Sequence, residues 1–379
     1  MNIGVVCYPT FGGSGVVATE LGVYMAAQGH KVHFITYSQP VRLDILAENI
    51  YYHEVNVHDY PLFEYQPYEL ALCSKMVDTV LNENIDLLHV HYAIPHAYAA
   101  ITAKQILKEK GINIPVVTTL HGTDITLVGK NPSYKPAVTY SINHSDIVTC
   151  VSESLKKDTL KFFVVRKDIT VIPNFIDPTL YDNVKTDARS NLAEPHQKIV
   201  VHVSNFRKVK RIDDVISIFD LINKELDAKL ILIGEGPERE RAELQSKQLG
   251  ILDKLVFLGK TNDVERVLCM SDIFLLPSET ESFGLAALEA MAASLPVISS
   301  NTGGLPEVNV HGETGYLADV GDVEAMSKYA LNILKDGETH LKFKRGALAR
   351  AKTFTVKSIL PLYLDIYKKA IDLVKEHQN

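Results

Sequence analysis

The chain has 379 residues, too many for one ordinary hydrophobic core, so two domains are expected. Its 46% hydrophobic and 22% charged residues are usual for a globular protein in water. The formal net charge of -7 excludes a global attraction to nucleic acid or to an anionic membrane. No apolar run is long enough to span a bilayer, and the start, MNIGVVCYPTFGGSG, has the look of a first β-strand, not of a signal peptide. Cys7, Cys73, Cys150 and Cys269 are scattered, mostly in apolar runs and without metal-type spacing. Buried free thiols in a reducing cytoplasm are the expectation, with neither nucleic acid nor membrane as a partner.

In chain order, the strand candidates begin with Ile3–Cys7, Val32–Thr36, Leu87–His91, Val116–Leu120 and Ile147–Val151. Amphipathic stretches lie between them, such as Val16–Ala27, Leu70–Asn82 and Ala97–Lys110. This is the βαβ rhythm of an α/β fold with a parallel, doubly wound sheet. The rhythm pauses at Val171-Ile-Pro-Asn-Phe-Ile-Asp-Pro178 and stays polar to about Gln197, which reads as the crossing between domains. A second series follows: Ile199–Val203, Leu230–Ile233, Leu255–Leu258, Ile273–Leu276 and Val297–Ser299. From about Phe354 the tail is one long amphipathic segment, able to pack back across the hinge. The expected domains are therefore 1–175 with 354–379, and 176–353.

Gly12-Gly13-Ser14-Gly15-Val16-Val17-Ala18 follows the first strand and opens the first helix. Glycines let backbone approach a ligand, and the unpaired N–H groups of a helix start attract anions. Gly13, Gly15 and Ala18 satisfy the dinucleotide-binding spacing, but the second strand ends Ile35-Thr36-Tyr37-Ser38-Gln39 with no acid to hold a ribose. A loop facing a phosphate or carboxylate is favoured over NAD binding; a purely structural turn is the plain alternative. His89 and His91 alternate with apolar residues and share one face of their strand, where His89 reads as a core histidine. His121 falls where its strand ends, with Gly122 after it, which suits hydrogen bonding at a reacting centre. Zinc is disfavoured, because no cysteine and no H-E-x-x-H helix accompanies these histidines.

Arg207-Lys208-Val209-Lys210-Arg211 follows the first strand of the second series. A solvated face is the bland reading of such a run. Its place after a βα turn points to a diphosphate, with arginine as a clamp and lysine as a point charge. The most informative string is Leu275-Leu-Pro-Ser-Glu-Thr-Glu281-Ser-Phe-Gly-Leu-Ala-Ala-Leu-Glu289-Ala-Met-Ala. Ser282 is the expected N-cap of a helix. Phe283, Gly284 and Leu285 are expected to offer unpaired N–H groups to an anion. Glu281 before the helix and Glu289 two turns in suit sugar diols, for which carboxylates are acceptors.

This string resembles the signature of the family-4 retaining glycosyltransferases. Pro173-Asn174, Gly234-Glu-Gly-Pro237, Gly303-Gly304-Leu-Pro-Glu307 and Gly312-Glu-Thr-Gly315 extend the resemblance over nearly the whole chain. It implies a GT-B fold: two Rossmann-like, doubly wound domains facing a central cleft. The acceptor would lie on the N-terminal domain, the donor on the C-terminal domain, and a C-terminal helix would return to the first. Carried onto this sequence, it implies that Glu281 contacts the hydroxyls of the transferred sugar and Glu289 the ribose. Gly13, Phe283, Gly284 and Leu285 would complete the donor site. Arg207 and Lys210 would neutralise the diphosphate, although Asn205-Phe206-Arg207 stands closer to the lysine than the family's Gly-Arg does.

The stretches Gly12 to Gly22, His89-Val-His-Tyr-Ala-Ile-Pro-His96 and Leu120-His-Gly-Thr-Asp124 are similar to one branch of that family. Its members pass N-acetylglucosamine from its UDP carrier to the hydroxyl of L-malate, the first step of bacillithiol biosynthesis. For such a dianionic acceptor the candidates are Ser14, Tyr92, Thr123, Lys135 and Arg42. The resemblance implies front-face transfer with retention, the leaving phosphate helping to deprotonate the acceptor and His121 hydrogen-bonding the sugar. Catalysis would then be mainly orientation and charge stabilisation. It implies no metal or other cofactor, no D-x-D motif lying near the nucleotide site, and a homodimer by analogy. Another acceptor, a sugar-nucleotide epimerase or phosphorylase, and a non-catalytic sugar-nucleotide sensor remain as alternatives.

Overall fold

The computed structural model describes residues 1–10, 12–58, 61, 63–182 and 184–376, so the last three residues of the tail lie outside the described residues. The chain divides into two compact units, residues 1–174 with 356–379, and residues 175–355.

The first unit is built on seven parallel strands: β1 (Asn2–Val6), β2 (Lys31–Thr36), β3 (Ile50–Glu54), β4 (Leu87–His91), β5 (Val116–Leu120), β6 (Ile147–Cys150) and β7 (Ile169–Val171), in the order β3-β2-β1-β4-β5-β6-β7. β4 and β5 are buried along their whole length. A strand covered by helices on both faces has no solvent side, so β4 and β5 are short apolar-rich runs whose two histidines and two threonines are buried with their neighbours. β3 and β7 had no such signature. β3 is the edge strand Ile-Tyr-Tyr-His-Glu and β7 is only three residues long.

The helix Gly13–Ala27 leaves β1 three residues before its first periodic apolar position, Val16. The helix Val356–Glu376 buries Ile359, Leu360, Tyr363, Ile366, Tyr367 and Ala370, one stripe at helical spacing. That stripe packs against β4, β5 and the helix Gly13–Ala27, and the Tyr367 hydroxyl meets Nδ1 of His89 at 2.7 Å.

The second unit carries six parallel strands: β8 (Lys198–Val203), β9 (Ala228–Ile233), β10 (Leu255–Gly259), β11 (Ile273–Leu276), β12 (Val297–Ser300) and β13 (Gly315–Ala318), in the order β10-β9-β8-β11-β12-β13. Its core gathers Ile212, Val215, Phe219, Leu230, Leu232, Leu275 and Met326. Both sheets therefore reverse their winding once, between β1 and β4 and between β8 and β11. At such switch points the helices leave to opposite faces, and a crevice opens beyond the carboxyl ends of the strands.

Candidate functional site

In the second unit, the loops that leave β8 and β11 carry the expected donor residues. Lys210 closes a short turn, Lys208–Lys210, and its Nζ lies 2.5 Å from Oε1 of Glu281. Ser278 donates to the same oxygen at 2.9 Å, and the Glu279 N–H donates to the Val209 carbonyl at 2.8 Å. The two loops are thus tied through backbone and side chain together. Oε2 of Glu281 carries no hydrogen bond among the described residues, which leaves one carboxylate oxygen for a ligand.

Two glycine segments hold these loops from beneath. Gly303 has φ +56, and a Cβ on it would lie 1.9 Å from the Glu281 carbonyl oxygen; the Gly304 N–H donates to that oxygen at 2.9 Å. A Cβ on Gly234 would lie 1.8 Å from the Ser204 carbonyl oxygen. The Gly-Gly-Leu-Pro and Gly-Glu-Gly-Pro motifs are thus the close-approach supports of the loops that hold Glu281 and Arg207.

The helix after Glu281 is Leu285–Ala292, and its N-cap is Gly284, φ +97, with no side-chain cap. The expectation that Ser282 caps it is corrected. The chain must first cross Gly303-Gly304, a Cβ on Gly304 falling 2.4 Å from the Ser282 carbonyl oxygen, so the helix begins later. The N–H groups of Phe283, Gly284 and Leu285 take no hydrogen-bond partner among the described residues. They stand at the positive end of the helix. The Phe283 ring is buried edge-on against Phe354, 5.7 Å between centroids. Glu289 is half-buried in the second turn. Arg207 is exposed and forms no ion pair among the described residues, whereas Arg211 is taken by Asp214 at 2.5 Å.

Sequence reasoning passed over His202, hidden in the apolar run of β8. Its Nδ1–H donates to the Leu275 carbonyl at 2.8 Å and Nε2 meets the Ser204 hydroxyl at 2.8 Å, bracing β8 against β11. Burial, helped by Lys210, lowers its pKa to about 4, so it stays neutral.

In the first unit, Gly13 opens its helix with Gly12 at the N-cap, and a Cβ on Gly15 would fall 2.4 Å from the Tyr8 carbonyl oxygen. That contact brings Ser14 over the end of β4, where its hydroxyl meets the Tyr92 hydroxyl at 2.5 Å. The Tyr92 ring lies 5.2 Å from both the Tyr8 and the His121 rings. Nδ1 of His91 meets Nε2 of His121 at 2.8 Å, and Nδ1 of His96 meets the His91 carbonyl at 2.5 Å. His89 lies 4.3 Å from His91, ring to ring, and bonds Thr119 at 2.7 Å. Burial lowers all four pKa values: His89 and His121 to about 3, His96 to about 4, and His91 well below the usual range. The cluster is uncharged at neutral pH.

Asp124 was also passed over, although Leu-His-Gly-Thr-Asp placed it just past a strand end. Its buried carboxylate accepts from the Ala93 N–H at 2.8 Å and the Gly122 N–H at 3.0 Å, which joins the exits of β4 and β5. Burial pushes its pKa up to about 6 against the pull of those N–H groups.

Ser14, Tyr92 and His121 are thus brought together. Thr123 is exposed and opens the turn Thr123–Leu127 just beyond them. Arg42 is turned to Glu20 at 3.0 Å. Lys135 lines an open groove of about 630 Å³ with Lys130, Tyr140, His144 and Arg166, a lining that includes none of the other acceptor candidates. Among the described residues no group of three or more His, Cys, Asp or Glu is arranged to hold a metal ion, and no helix is long and apolar enough to cross a membrane. Cys7, Cys73 and Cys150 are buried and Cys269 is half-buried, none of them in a disulfide among the described residues.

The chain matches two family models, one described as Glycosyltransferase Family 4 over residues 11–180 and one as Glycosyl transferases group 1 over residues 183–350. It is 46% identical over 383 aligned residues to the N-acetyl-alpha-D-glucosaminyl L-malate synthase of Bacillus anthracis, covering 100% of this chain and 99% of that one. It is 26% identical to the D-inositol 3-phosphate glycosyltransferase of Corynebacterium glutamicum, over 95% of this chain and 92% of that one. Among solved structures, Anabaena HepE in complex with UDP and glucose superposes with a TM-score of 0.81 at 20% identity, over 97% of this chain and 99% of that one. The sucrose-phosphate synthase of Thermosynechococcus elongatus does so with a TM-score of 0.80 at 21% identity, over 98% and 100%. With both sheets wound alike and the full length matched, the chain belongs to the family-4 glycosyltransferases and has their two-domain GT-B fold.

Proposed function

We propose that this enzyme transfers N-acetylglucosamine from UDP-N-acetylglucosamine to the hydroxyl of L-malate with retention of the anomeric configuration, the first step of bacillithiol biosynthesis. The relative that is 46% identical over the full length bears the name of that reaction, which supports the choice of donor and acceptor. The observation that carries the transferase chemistry is Glu281, held on one oxygen by Lys210 and Ser278 beside three unpaired amides at a helix start.

In this reading the free oxygen of Glu281 accepts from hydroxyls of the transferred sugar, and Glu289 accepts from the ribose. The amides of Phe283, Gly284 and Leu285, with Gly13 as a further donor-side contact, face sugar and phosphate. As the glycosidic bond breaks, charge builds on the leaving diphosphate, and Lys210 and Arg207 stabilise it. That phosphate takes the proton of the attacking malate hydroxyl on the same face. His121 hydrogen-bonds the sugar. The acceptor set narrows to Ser14, Tyr92 and Thr123, because Arg42 is engaged by Glu20 and Lys135 faces its own groove.

Because Lys210 and Arg207 supply the positive charge, no divalent metal is needed, and turnover should be unchanged in excess EDTA. The enzyme acts as a cytoplasmic homodimer in this reading, which light scattering on the purified protein tests for its stoichiometry. The decisive assay is mass spectrometry of products from UDP-N-acetylglucosamine with a panel of small hydroxy acids and sugars. A malate adduct is expected, and it should vanish in Glu281→Ala while the fold persists. UDP release without any acceptor would instead indicate an epimerase or hydrolase.

A further inference from the structure

The four-histidine cluster contains more than the one ring assigned to the sugar. His91 and His121 share a single hydrogen bond, Nδ1 to Nε2 at 2.8 Å. Burial keeps both rings neutral, so each carries one proton and the bond has two forms. In one, His91 donates from Nδ1 and its Nε2 is a bare lone pair. In the other, His121 donates from Nε2 and His91 keeps its proton on Nε2.

The surroundings of His91 choose between them. Its Nε2 is buried with no hydrogen-bond partner among the described residues. A buried orphan N–H is the rarer and costlier defect, since a donor has one direction in which to be satisfied. The neighbouring His96 shows the same preference. Its Nδ1–H donates to the His91 carbonyl, and its Nε2 is left bare, buried and unpartnered. The first form is therefore favoured. It leaves His121 protonated on Nδ1, the nitrogen that has no partner among the described residues and is not one of the buried orphan atoms.

We infer that His91 is a positioning residue: it donates to His121 and so fixes His121 as the Nδ1–H tautomer, a neutral hydrogen-bond donor aimed at a substrate oxygen. The tautomer follows from the buried geometry alone. Its use in turnover rests on the reading that His121 meets the reacting sugar.

Two-bond proton–nitrogen correlation spectra of the ring nitrogens, recorded on the 15N-labelled full chain without ligand, read the tautomer directly. His121 is expected with a protonated Nδ1 and a bare Nε2; the reverse assignment overturns the inference. In His91→Phe, the His121 signal should move to the other tautomer or to a mixture, and kcat should fall roughly tenfold or more with little change in the KM for either substrate. His91→Asn places an amide donor where Nδ1 was and should restore both the tautomer and most of kcat. It also serves if the phenylalanine variant does not fold. A His91→Phe protein with wild-type tautomer and kcat would sink the positioning role. A His121→Ala protein with wild-type kcat would place the fault in the reading of His121, leaving the spectra as the test of the tautomer.

Discussion

Gly303→Ala tests whether the loop that presents Glu281 is held by close backbone approach. At φ +56 an L side chain costs about 1–2 kcal/mol. The new Cβ would stand 1.9 Å from the Glu281 carbonyl oxygen, and Cβ contacts essentially do not fall below 3.0 Å, so one of the two strands of backbone must give by about 1.1 Å. The same oxygen accepts from Gly304 at 2.9 Å, and giving way strains or breaks that bond, about 0.5–1.5 kcal/mol more. The expected loss is thus about 1.5–3.5 kcal/mol, which for a unit of this size lowers Tm by roughly 3–14 °C. Where the loop yields instead, Glu281 moves by about 1 Å, and misplacement on that scale costs about 10²-fold in turnover. Gly337→Ala is the control, because a Cβ there meets nothing within 4 Å. Thermal unfolding and a UDP-release assay on both variants decide the matter. A Gly303→Ala protein with wild-type Tm and wild-type kcat/KM would refute the reasoning.

Phe354→Ala removes the ring that supports Phe283 and carries Arg350 at 4.9 Å from its centroid. A loss of about 3–5 kcal/mol in unfolding free energy and a higher KM for the nucleotide sugar are expected, measured by denaturant titration and initial rates. Tyr367→Phe leaves Nδ1 of buried His89 without its partner, for about 1–3 kcal/mol of destabilisation on the same titration. Acidification should destabilise the first unit. Histidine pKa values of about 3 to 4 in the fold lie below the usual 6.5, so the stability they contribute is present above pH 6.5 and is lost as pH falls toward 4, about 1 kcal/mol per histidine for the first pH unit. Asp124, raised to about 6, works in the opposite direction, stability falling as pH rises from 3.8 to 6, but it is one group against four. Denaturant midpoints measured from pH 7.5 down to 4.5 should therefore drop; a flat profile would show that the cluster does not titrate with folding.

The sequence disclosed the features governed by periodicity and by chain punctuation. Buried parallel strands such as β4, β5 and β11 stand out as short apolar-rich runs, and His89 and His91 do lie side by side, as two positions one residue apart on a strand must. Edge strands escape that logic. β3 is Ile-Tyr-Tyr-His-Glu and β13 is Gly-Tyr-Leu-Ala, so neither has the aliphatic composition of a covered strand. The misplaced cap at Ser282 has a tertiary cause. Local preference favours serine, but the crossing over Gly303-Gly304 fixes where the helix can begin, and no local pattern encodes a contact twenty residues away. His202 and Asp124 were illegible for a related reason. A lone polar residue in an apolar run, like His202, does not announce its partner carbonyl, and an acid just past a strand end, like Asp124, does not announce the loop it ties down.

The two switch points solve different electrostatic problems. In the second unit the charged groups are only half-buried: Lys210 and Glu281 are 20% and 13% exposed and Arg207 is open to solvent, so on the proposed reading a diphosphate would meet cations that water still reaches. In the first unit the ionisable groups are buried, and the same physics forces the histidines to be neutral. On the proposed reading, a neutral imidazole at His121 still donates one hydrogen bond to the sugar but adds no positive charge beside an anomeric carbon that becomes electron-poor as its bond breaks. An imidazolium at His121 would oppose that change. Half-buried against His91 and Tyr92, His121 would on the proposed reading stay a neutral donor at lower pH than a solvated histidine would. The requirement that they all stay neutral fits the partners of the rings, which are carbonyl, hydroxyl or another imidazole, while the Asp124 carboxylate meets His121 only at its backbone N–H.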